Sequence, residues 1–435
     1  MKKMGKKMLS VLLSALLLAS FGALLQSAAA ADYQITNPYA AVNWDTWKAY
    51  KGNLHMHTTF SDGNMSLADV VEEYYAQGYD AIAVTDHGVV GRPWDERPKL
   101  ATPLDIQNWF KARPVLTSAR AAAIAAGTDR DGQKMLNLPK GIEMNAAVLY
   151  KSHVNGFFVG AGQGYWGLEN DYESVIRWTE RAGGVSHINH PGDWLGSAGN
   201  PAAAKDPKNV NFFANILLKY PSCLGIEIYN RVDTVTRQDR ILWDEILQRV
   251  IPRGRNCWGF SNDDSHVLSD IGATAEYFMM PANTVDNVRT AMETGAFFAC
   301  SRYDRPLLGD ESANREAPFP MVTRITADDA NDVITLQTDS ADTVRWIADG
   351  KVIAEGPSID LRAHSDEITC YVRAQLIGEG GICTTQAFAL DDGSGYRYQD
   401  PEVGLWESIQ DRVVFCLKSN KIAFLIQLLI EALSK

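Results

Sequence analysis

Two histidines separated by one residue, His55 and His57, begin the stretch of the chain with the clearest potential for chemistry. In an extended segment, successive side chains point to opposite faces, so these two imidazoles project the same way and can bind one metal ion. Asp62 follows in a Ser-Asp-Gly turn, and His87 ends a second short apolar segment. One such histidine alone is more often a solvated or core residue, but the combination of ligand types predicts a metal site.

The segments around these residues indicate how they are brought together. An apolar strand at residues 80–84 is reached through a helical stretch at 67–77. A strand, a helix and a second strand form a βαβ unit, and such units keep their polar chemistry at the carboxyl ends of the strands. The pattern therefore predicts one shared site at this end of the sheet.

The same alternation continues to about residue 305, with helical stretches at 117–126, 172–182 and 237–250. Further strands are predicted at residues 138–145, 152–159, 183–190, 223–230 and 257–266. The side chains that could do chemistry at their ends are Glu143, His153, His190, Glu227, Asp264 and His266. This alternation predicts an α/β fold with a mostly parallel sheet, and the number of strands favours a barrel over an open sheet.

The ligand types at the strand ends indicate which metals the site prefers. Six of the eight histidines in the chain fall at strand ends of this region, together with Asp62, Glu143 and Asp264. Imidazoles and carboxylates in this proportion prefer Zn, Mn or Fe, and a carboxylate such as Glu143 can bridge two ions. The ligands therefore predict two or three divalent metal ions as cofactors.

The order of these residues resembles that of the PHP family, the polymerase and histidinol phosphatase metallophosphoesterases. The resemblance covers roughly residues 53–305. His190 is preferred to the nearby His187 because it precedes a proline, and Asp264 is preferred to Asp263 because it keeps the Asp-x-His spacing. The blocks that carry the resemblance are His55-x-His57 with Ser61-Asp62-Gly63, Thr85-Asp86-His87, Gly141-Ile142-Glu143, His153, His190-Pro191 and Asp264-x-His266.

The resemblance implies a distorted (βα)7 TIM-like barrel with a trinuclear metal site. It also implies a metal-dependent phosphoesterase that hydrolyses a phosphate mono- or diester, with a metal-activated water attacking phosphorus. By the same resemblance, the catalytic residues His55, His57, Glu143 and Asp264 hold one metal, Glu143, His153 and His190 hold a second, and Asp62, His87 and His266 hold a third.

Two other functions are open. Barrels with a His-x-His site also hydrolyse bonds other than phosphate esters in an amidohydrolase-like reaction, although that chemistry usually uses a lysine at a strand end and no candidate stands out. A catalytically idle surface-binding protein would lack some of the ligands, whereas all nine positions are filled here.

The residues that would contact a substrate are less sharply defined. Arg92, Arg231 and Arg302 lie in loops or after strands, where an arginine either clamps a phosphate or remains solvated. Glu227 has two open roles, orienting a metal ligand or contacting the substrate. The formal net charge of −12 argues against a broad basic surface for double-stranded nucleic acid, so a small phosphorylated substrate is expected.

The first residues of the chain predict export. Residues 1–31 combine a lysine-rich start, an apolar run and small residues at the exit, a pattern typical of a cleaved secretory signal peptide. An uncleaved membrane anchor is the alternative, because the apolar run approaches spanning length. The protein is therefore expected to be secreted, periplasmic or attached to the cell surface.

The rest of the chain is predicted to form a barrel domain at residues 32–305, a linker at 306–320 and an accessory domain. Strands predicted at 321–327, 333–338, 343–348, 351–354, 368–377 and 382–390 are separated by an Asp349-Gly350 turn and a glycine-rich turn at 378–381. They predict a small immunoglobulin-like β-sandwich at 321–395.

The pattern at residues 396–435 predicts an amphipathic helix. The helix is expected to pack on its own protein or to lie on a membrane surface. For the β-sandwich, contact with the cell surface is an open role.

Overall fold

The computed structural model describes residues 32–99, 110–147, 152–164, 172–230, 236–303 and 313–393. They form a mixed α/β fold with three sheets, as the alternation of strands and helices predicts. The predicted signal peptide at 1–31, the predicted helix at 396–435 and the candidate Arg231 lie outside the described residues. Within the described ranges, no helix is both long enough and apolar enough to cross a membrane.

The elements of these ranges are numbered in chain order. The strands are β1 (Gln34–Thr36), β2 (Lys48–Asn53), β3 (Ala81–Ile82), β4 (Leu136–Asn137), β5 (Ile142–Ala147), β6 (Ser152–Phe157), β7 (Val185–Ile188), β8 (Cys223–Asn230), β9 (Trp258–Asn262), β10 (Thr274–Met280), β11 (Phe297–Ser301), β12 (Met321–Asp328), β13 (Val333–Asp339), β14 (Thr343–Ala348), β15 (Lys351–Glu355), β16 (Ser358–Asp360), β17 (Tyr371–Gly378), β18 (Gly381–Thr384) and β19 (Phe388–Asp391). The α-helices are α1 (Leu67–Ala76), α2 (Ser118–Ala126), α3 (Glu173–Arg181), α4 (Pro191–Leu195), α5 (Pro207–Lys219), α6 (Asp239–Val250) and α7 (Val285–Thr294).

One sheet contains five strands in the order β5-β6-β7-β8-β9. The pairs β7–β8 and β8–β9 are parallel, whereas β5–β6 and β6–β7 are antiparallel. The expectation of a mostly parallel sheet therefore does not hold for β6. The physical reason is the length of its connection: only residues 148–151 separate β5 from β6, and a parallel crossover needs a dozen or more residues.

The largest sheet contains eleven strands, and β2 is the third strand from one of its edges. On one side, β2 pairs parallel with β3 and β3 pairs parallel with β4. On the other side, β2 pairs antiparallel with β10, which continues into β11 and the strands near the C-terminal end of the described chain. The strand that leads to the two histidines is thus held on both edges.

The two sheets meet just beyond the carboxyl ends of β2, β3 and β9. Two isolated parallel bridges join Met56 to Ser265 and His87 to Glu143. They connect the continuation of β2 with that of β9, and the continuation of β3 with β5. Single bridges rather than full ladders close these two seams, so the (βα)7 barrel remains a prediction.

Two hydrophobic clusters support this arrangement. One packs β2, β3 and α1 against β10, β11 and the C-terminal strands, and includes Leu54, Val70 and Phe278. The other packs the five-stranded sheet against α3, α5 and α6, and includes Ile226 and Phe213. The candidate ligands lie at the strand ends above these clusters.

The strands predicted to form an accessory sandwich are shared with the rest of the protein. Strand β18 pairs antiparallel with β11, and β19 pairs antiparallel with β1. The side chain of Gln386 also bonds to both main-chain polar groups of Gly259 in β9, accepting from its N–H at 2.8 Å and donating to its carbonyl at 2.9 Å. The strands β12, β13 and β16 form a separate three-stranded sheet, whose apolar residues pack in the same hydrophobic cluster as the large sheet. The predicted boundary near residues 306–320 therefore does not separate two sheets.

Candidate metal centre

The main chain after β2 presents His55 and His57 on one face. Their backbone is fixed on both sides, because His57 N donates to Ser265 O at 2.9 Å and Thr85 N donates to Met56 O at 3.1 Å. Both imidazoles are fully buried. The alternation predicted from the sequence thus brings their Nε2 atoms to 3.2 Å from each other.

A first ligand set consists of His55, His57, Glu143 and Asp264. The Nε2 atoms of the two histidines lie 3.2 and 3.0 Å from Glu143 Oε2, and 3.4 and 3.1 Å from Asp264 Oδ1. Ligands at tetrahedral positions about 2.0–2.1 Å from a zinc-sized ion would be about 3.3–3.4 Å apart. The four atoms are therefore spaced to hold one ion.

Hydrogen bonds on the far side of the rings orient their lone pairs toward this position. His55 Nδ1 lies 2.8 Å from Glu227 Oε1, and His57 Nδ1 lies 3.2 Å from Ser61 Oγ, which donates to Asp86 Oδ1 at 2.7 Å. A carboxylate accepts, so His55 Nδ1 carries a proton, and Nε2 is the nitrogen left to bind an ion. The two Nε2 atoms and the two carboxylate oxygens thus converge on one position, which a cation can occupy when the imidazoles give up their Nε2 protons.

The carboxylate of Glu143 faces two groups of histidines. Its Oε2 belongs to the first ligand set and makes no hydrogen bond with the described residues, although it is buried. Its Oε1 lies 2.9 Å from His153 Nδ1 and 3.4 Å from His190 Nε2, and accepts from Asn189 Nδ2 at 2.8 Å. Glu143, His153 and His190 form a second ligand set, and the geometry suits a carboxylate that bridges two ions.

A third ligand set, Asp62, His87 and His266, lies at the open side of the centre. Asp62 Oδ2 is 3.6 Å from His87 Nε2 and 3.4 Å from His266 Nε2. The side chains of Asp62 and His266 are 28% and 22% exposed, in contrast to the buried first set. His87 Nδ1 is occupied on its other side by Asn145 Oδ1 at 2.8 Å.

The three sets overlap in space. Ligand atoms within 4.8 Å of one another also group Asp62 with His57 and His87, and Asp264 with His266 and His57. Together with three further groups, these combinations contain all nine predicted ligands. The structure therefore brings the nine residues together, while the number of ions and their division among the ligands remain predictions.

Protons compete with metal ions for the imidazole nitrogens, and the buried carboxylates favour the protonated form. Burial by itself lowers the pKa of His57, but the hydrogen bond to Asp264 and the charges of Asp62 and Glu143 outweigh burial and raise the pKa to about 10. Without an ion, this imidazole thus holds a proton at neutral pH. A bound cation would replace that proton, because metal ligands must be deprotonated.

Two ligands lie on strained backbone. Asp264 has φ of 44° and His190 has φ of 26°, a region that residues other than glycine rarely occupy. Such strain persists only where surrounding contacts determine it, and it clusters at functional sites. Asp263 supplies such contacts, because its Oδ1 accepts from Thr274 N at 2.8 Å and its Oδ2 accepts from Gly272 N at 2.9 Å.

Asp263 thus differs in role from its neighbour Asp264. Its buried carboxylate also accepts from Tyr74 Oη at 3.0 Å, and burial raises its pKa to about 6. Asp263 anchors the loop that follows β9, whereas Asp264 faces the histidines. Likewise His187, three residues before His190, differs in role from that histidine. Its ring packs against Phe260 in the core, with the ring centroids 4.5 Å apart, and burial lowers the pKa of His187 to about 4.

Two of the three arginines predicted to contact a substrate, Arg92 and Arg302, lie in the described residues and are bonded to other groups. Arg92 forms an exposed ion pair with Glu96. Arg302 donates to the carbonyls of Ala317 and Gly380, and its guanidinium stacks over Phe319, so the contacts of Arg302 do not support a substrate role. Glu227 is fully buried below the first ligand set rather than facing the opening.

Several residues around the ligands were not singled out by sequence reasoning. Asn189 donates to the carboxylate of Glu143, and Asp86 accepts from Thr58 N, Thr58 Oγ1 and Ser61 Oγ, each at 2.7 Å. Both stand directly beside a histidine in the sequence, Asp86 in Asp-His-Gly and Asn189 in Asn-His-Pro. Their position beside a ligand in the sequence could have identified them, because a neighbouring residue in the chain can stabilise the turn that carries the ligand.

Comparison with known proteins agrees with this geometry. Residues 53–176 match the PHP domain, a stretch that contains His55, His57, Asp62, His87, Glu143 and His153. The match covers less than half of the chain, and His190, Asp264 and His266 lie beyond it. It assigns a PHP domain to this part of the chain, a class of domain in metal-dependent hydrolases.

One individual protein is similar in sequence over a short segment of the chain. A segment of 37 residues is 49% identical to the DNA polymerase/3'-5' exonuclease PolX of Bacillus subtilis (strain 168), over 8% of this chain and 6% of that protein. The chain thus matches only a small part of that relative's length.

Two solved structures are also similar. A two-domain protein containing a predicted PHP-like metal-dependent phosphoesterase from Bacteroides vulgatus is 15% identical, with a TM-score of 0.41 over 82% of this chain and 90% of that one. A histidinol phosphate phosphatase from Lactococcus lactis, complexed with Zn, L-histidinol and phosphate, is 14% identical, with a TM-score of 0.25 over 56% of this chain and 92% of that one.

Proposed function

We propose that this protein is an exported, metal-dependent phosphoesterase that hydrolyses a phosphate mono- or diester of a small substrate at a trinuclear site. The observation that carries the proposal is the position of Glu143, whose two carboxylate oxygens face separate histidine groups at 2.9–3.4 Å. That arrangement can hold two adjacent cations, and adjacent cations can stabilise the negative charge of a phosphoryl group.

The residues have distinct roles in the proposed reaction. Divalent ions, with Zn, Mn or Fe as candidates, would supply Lewis-acid stabilisation of phosphate oxygens and acidify water. His55, His57, Glu143 and Asp264 hold the deepest position and exclude bulk water from it. Asp62 borders the opening with a partly exposed carboxylate, so the third ligand set is the side from which a substrate enters.

The charge of the protein supports a role for cations in substrate binding. The chain carries 53 acidic and 41 basic residues, and the described arginines with predicted substrate roles are bonded elsewhere. A phosphate would therefore meet mainly carboxylates and imidazoles, which attract it only when metal ions reverse the local charge.

We also propose that β2, β3 and β5 to β9 form the distorted seven-stranded barrel. The two isolated bridges, which join the ends of β2 and β9 and of β3 and β5, support closure of this ring. Export rests on the pattern of residues 1–31. N-terminal sequencing of protein recovered outside the cytoplasm would test it, and a chain beginning near residues 29–32 is the expected result.

The central experiment combines metal content and activity on one preparation. Elemental analysis of the purified mature protein is followed by assays with p-nitrophenyl phosphate and its bis ester, with and without added Mn or Zn. Two or three bound ions and phosphoester cleavage are expected. The His55→Ala, His57→Ala double variant should lose both, because it removes half of the first ligand set.

A matched control is His364→Ala, since His364 bonds to Glu367 on the surface far from the ligands in sequence and sheet. This variant should keep full metal content and activity. Bound ions without release from either ester would favour hydrolysis of another bond, and a folded protein free of metal would contradict the proposal.

A further inference from the structure

Glu227 lies in the middle of β8 and is completely buried. Its two oxygens accept four hydrogen bonds, two each. Oε1 accepts from His55 Nδ1 at 2.8 Å and from Asn262 Nδ2 at 3.0 Å. Oε2 accepts from His190 N at 2.9 Å and from Asn230 Nδ2 at 2.8 Å. All acceptor positions of the carboxylate are therefore used within the protein, which leaves none for a substrate.

The partners of Glu227 fix its ionised form by their chemistry. The main-chain N–H of His190 can only donate. The side chain of Asn262 must also present its amide nitrogen, because its Oδ1 accepts from Leu54 N at 2.7 Å. A carboxyl proton would collide with these donors unless it pointed at His55 Nδ1, and there the imidazole nitrogen, which is more basic than a carboxylate, takes the proton. It follows that Glu227 is a carboxylate and that the fourth partner, His55 Nδ1, donates a proton to it.

The four bonds link ligands of two sets. His55 belongs to the first ligand set, and its Nε2 lies 3.2 Å from Glu143 Oε2. His190 belongs to the second set, and Glu227 holds its N–H at the strained φ of 26°. Asn262 ends β9 two residues before Asp264. One buried side chain thus contacts the segments that carry three of the proposed ligands.

We infer that Glu227 is a positioning residue for the metal centre, which fixes the tautomer of His55 and the backbone of His190 and so sets the first and second ion positions together. The inference rests on the proposed function, because it concerns the same ions. It decides between the two roles that the sequence leaves open for Glu227, in favour of orienting ligands rather than contacting substrate.

Replacement of the carboxylate by an amide should reveal this role. Glu227→Gln keeps the shape of the side chain but turns one oxygen into an NH2 group. In one orientation, that group faces His55 Nδ1 and favours the tautomer with a proton on Nε2, which points into the first ion position. In the other orientation, it opposes His190 N–H and displaces the strained turn. Either result should weaken metal binding by about 10–100-fold.

The matched control is Glu276→Gln. Glu276 is also a buried glutamate, in β10 of the eleven-stranded sheet, and its Oε1 accepts from Ser261 N at 3.3 Å. Burial raises its pKa well above the usual range, so an amide closely replaces its neutral acid form. This variant should bind metal as the wild type does.

Titration calorimetry and elemental analysis measure Zn²⁺ binding. In the zinc-loaded protein, 15N NMR measures which ring nitrogen of His55 is protonated and which binds the metal. Wild type and Glu276→Gln should show His55 with a protonated Nδ1 and a metal-bound Nε2. Glu227→Gln should lose this signal and at least one ion, while the metal-free protein still unfolds cooperatively. Equal zinc affinity in Glu227→Gln and wild type would overturn the inference.

The outcomes separate this inference from the proposed function. Wild-type protein that binds no ion would overturn the proposed function and the inference that rests on it, whereas ions in wild type with an unprotonated His55 Nδ1 would overturn the inference alone. The wild-type NMR result does not depend on any variant, so it decides the question even if Glu227→Gln fails to fold. Glu227→Asp, which keeps the charge but is too short to reach both histidines, should lose zinc affinity as well.

Discussion

Arg373 of β17 and Asp244 of α6 form a buried, bidentate ion pair. Arg373 Nε donates to Asp244 Oδ1 at 2.8 Å, and its Nη2 donates to Oδ2 at 2.7 Å. Tyr371 Oη donates to the same carboxylate at 2.8 Å. The pair joins a strand near the C-terminal end of the described chain to a helix that packs on the five-stranded sheet, so the two regions depend on each other.

Breaking this pair on one side should strongly destabilise the protein. Arg373→Ala leaves the carboxylate of Asp244 buried without its cation, and a loss of about 3–5 kcal/mol in the free energy of unfolding is expected. The double variant Arg373→Met, Asp244→Asn should lose much less, because neither charge remains. Urea unfolding followed by circular dichroism measures both. An exposed pair provides the control: Arg92→Ala should change stability by less than about 0.5 kcal/mol.

The local elements of the fold could be predicted from the sequence because their signals are local. Strand β8 has the predicted bounds, and the Asp349-Gly350 turn joins β14 to β15 with φ of 49° and 72°, as a tight hairpin requires. Helix α1 starts where Ser66 and Asp69 form a capping box. In each case, the residues that decide the conformation are adjacent in the chain.

The pairing of distant strands could not be predicted in the same way. Strands β18 and β11 pair although they are about eighty residues apart in the sequence, and the sequence of neither strand indicates which strand it pairs with. Helix α5 was also missed, although Asp206 caps it and Pro207 begins it. Its apolar residues lie near a polar loop that obscured the helical period.

The candidate ligands were easier to identify than the residues that hold them. His55, His57 and Asp264 have types and spacings that suit metal binding. Asn189 acts through a single hydrogen bond to Glu143, which depends on the meeting of β5 with the end of β7. No sequence pattern encodes such a contact, because it forms only when the sheet assembles.

The two neighbouring aspartates after β9 should respond differently to the same substitution. Asp264→Asn removes a charged ligand while keeping a side chain that tolerates positive φ, so metal content should fall while the fold persists. Asp263→Asn disturbs an acceptor of four hydrogen bonds and should lower the free energy of unfolding by about 1–3 kcal/mol. Elemental analysis and urea unfolding separate the effects. Equal metal loss at unchanged stability in both variants would contradict the assignment.

Metal binding should release protons and tighten as pH rises. The neighbouring carboxylates raise the pKa of His57 to about 10 despite burial, so the metal-free cluster carries this proton at neutral pH and the metal-bound form does not. The ion-free protein therefore holds more protons, and zinc affinity should increase with pH throughout the range below about 10. Calorimetry at pH 7 in two buffers of different ionisation enthalpy measures the release. Binding heats that do not depend on the buffer would contradict this prediction.

Gly63 should be required at the turn that carries Asp62, because a side chain has no space there. A Cβ on Gly63 would lie 2.6 Å from both the C and O atoms of His57 and 2.8 Å from Thr58 N, all of them backbone atoms that cannot rotate away. Gly63→Ala should therefore displace Asp62, lower the content of the ion proposed at the third ligand set, and destabilise the protein by about 1–3 kcal/mol.

The control for this substitution is Gly160→Ala, because the nearest atom to a Cβ at Gly160 is Cδ of the flexible Lys140 side chain at 4.0 Å. Elemental analysis and the melting temperature of both variants, measured with and without added zinc, compare the two positions. The expected pattern is a reduced ion count for Gly63→Ala and an unchanged one for Gly160→Ala. Retention of every ion at wild-type stability in Gly63→Ala would contradict this prediction. It would show that the close packing of the turn against the His57 backbone does not determine the position of Asp62.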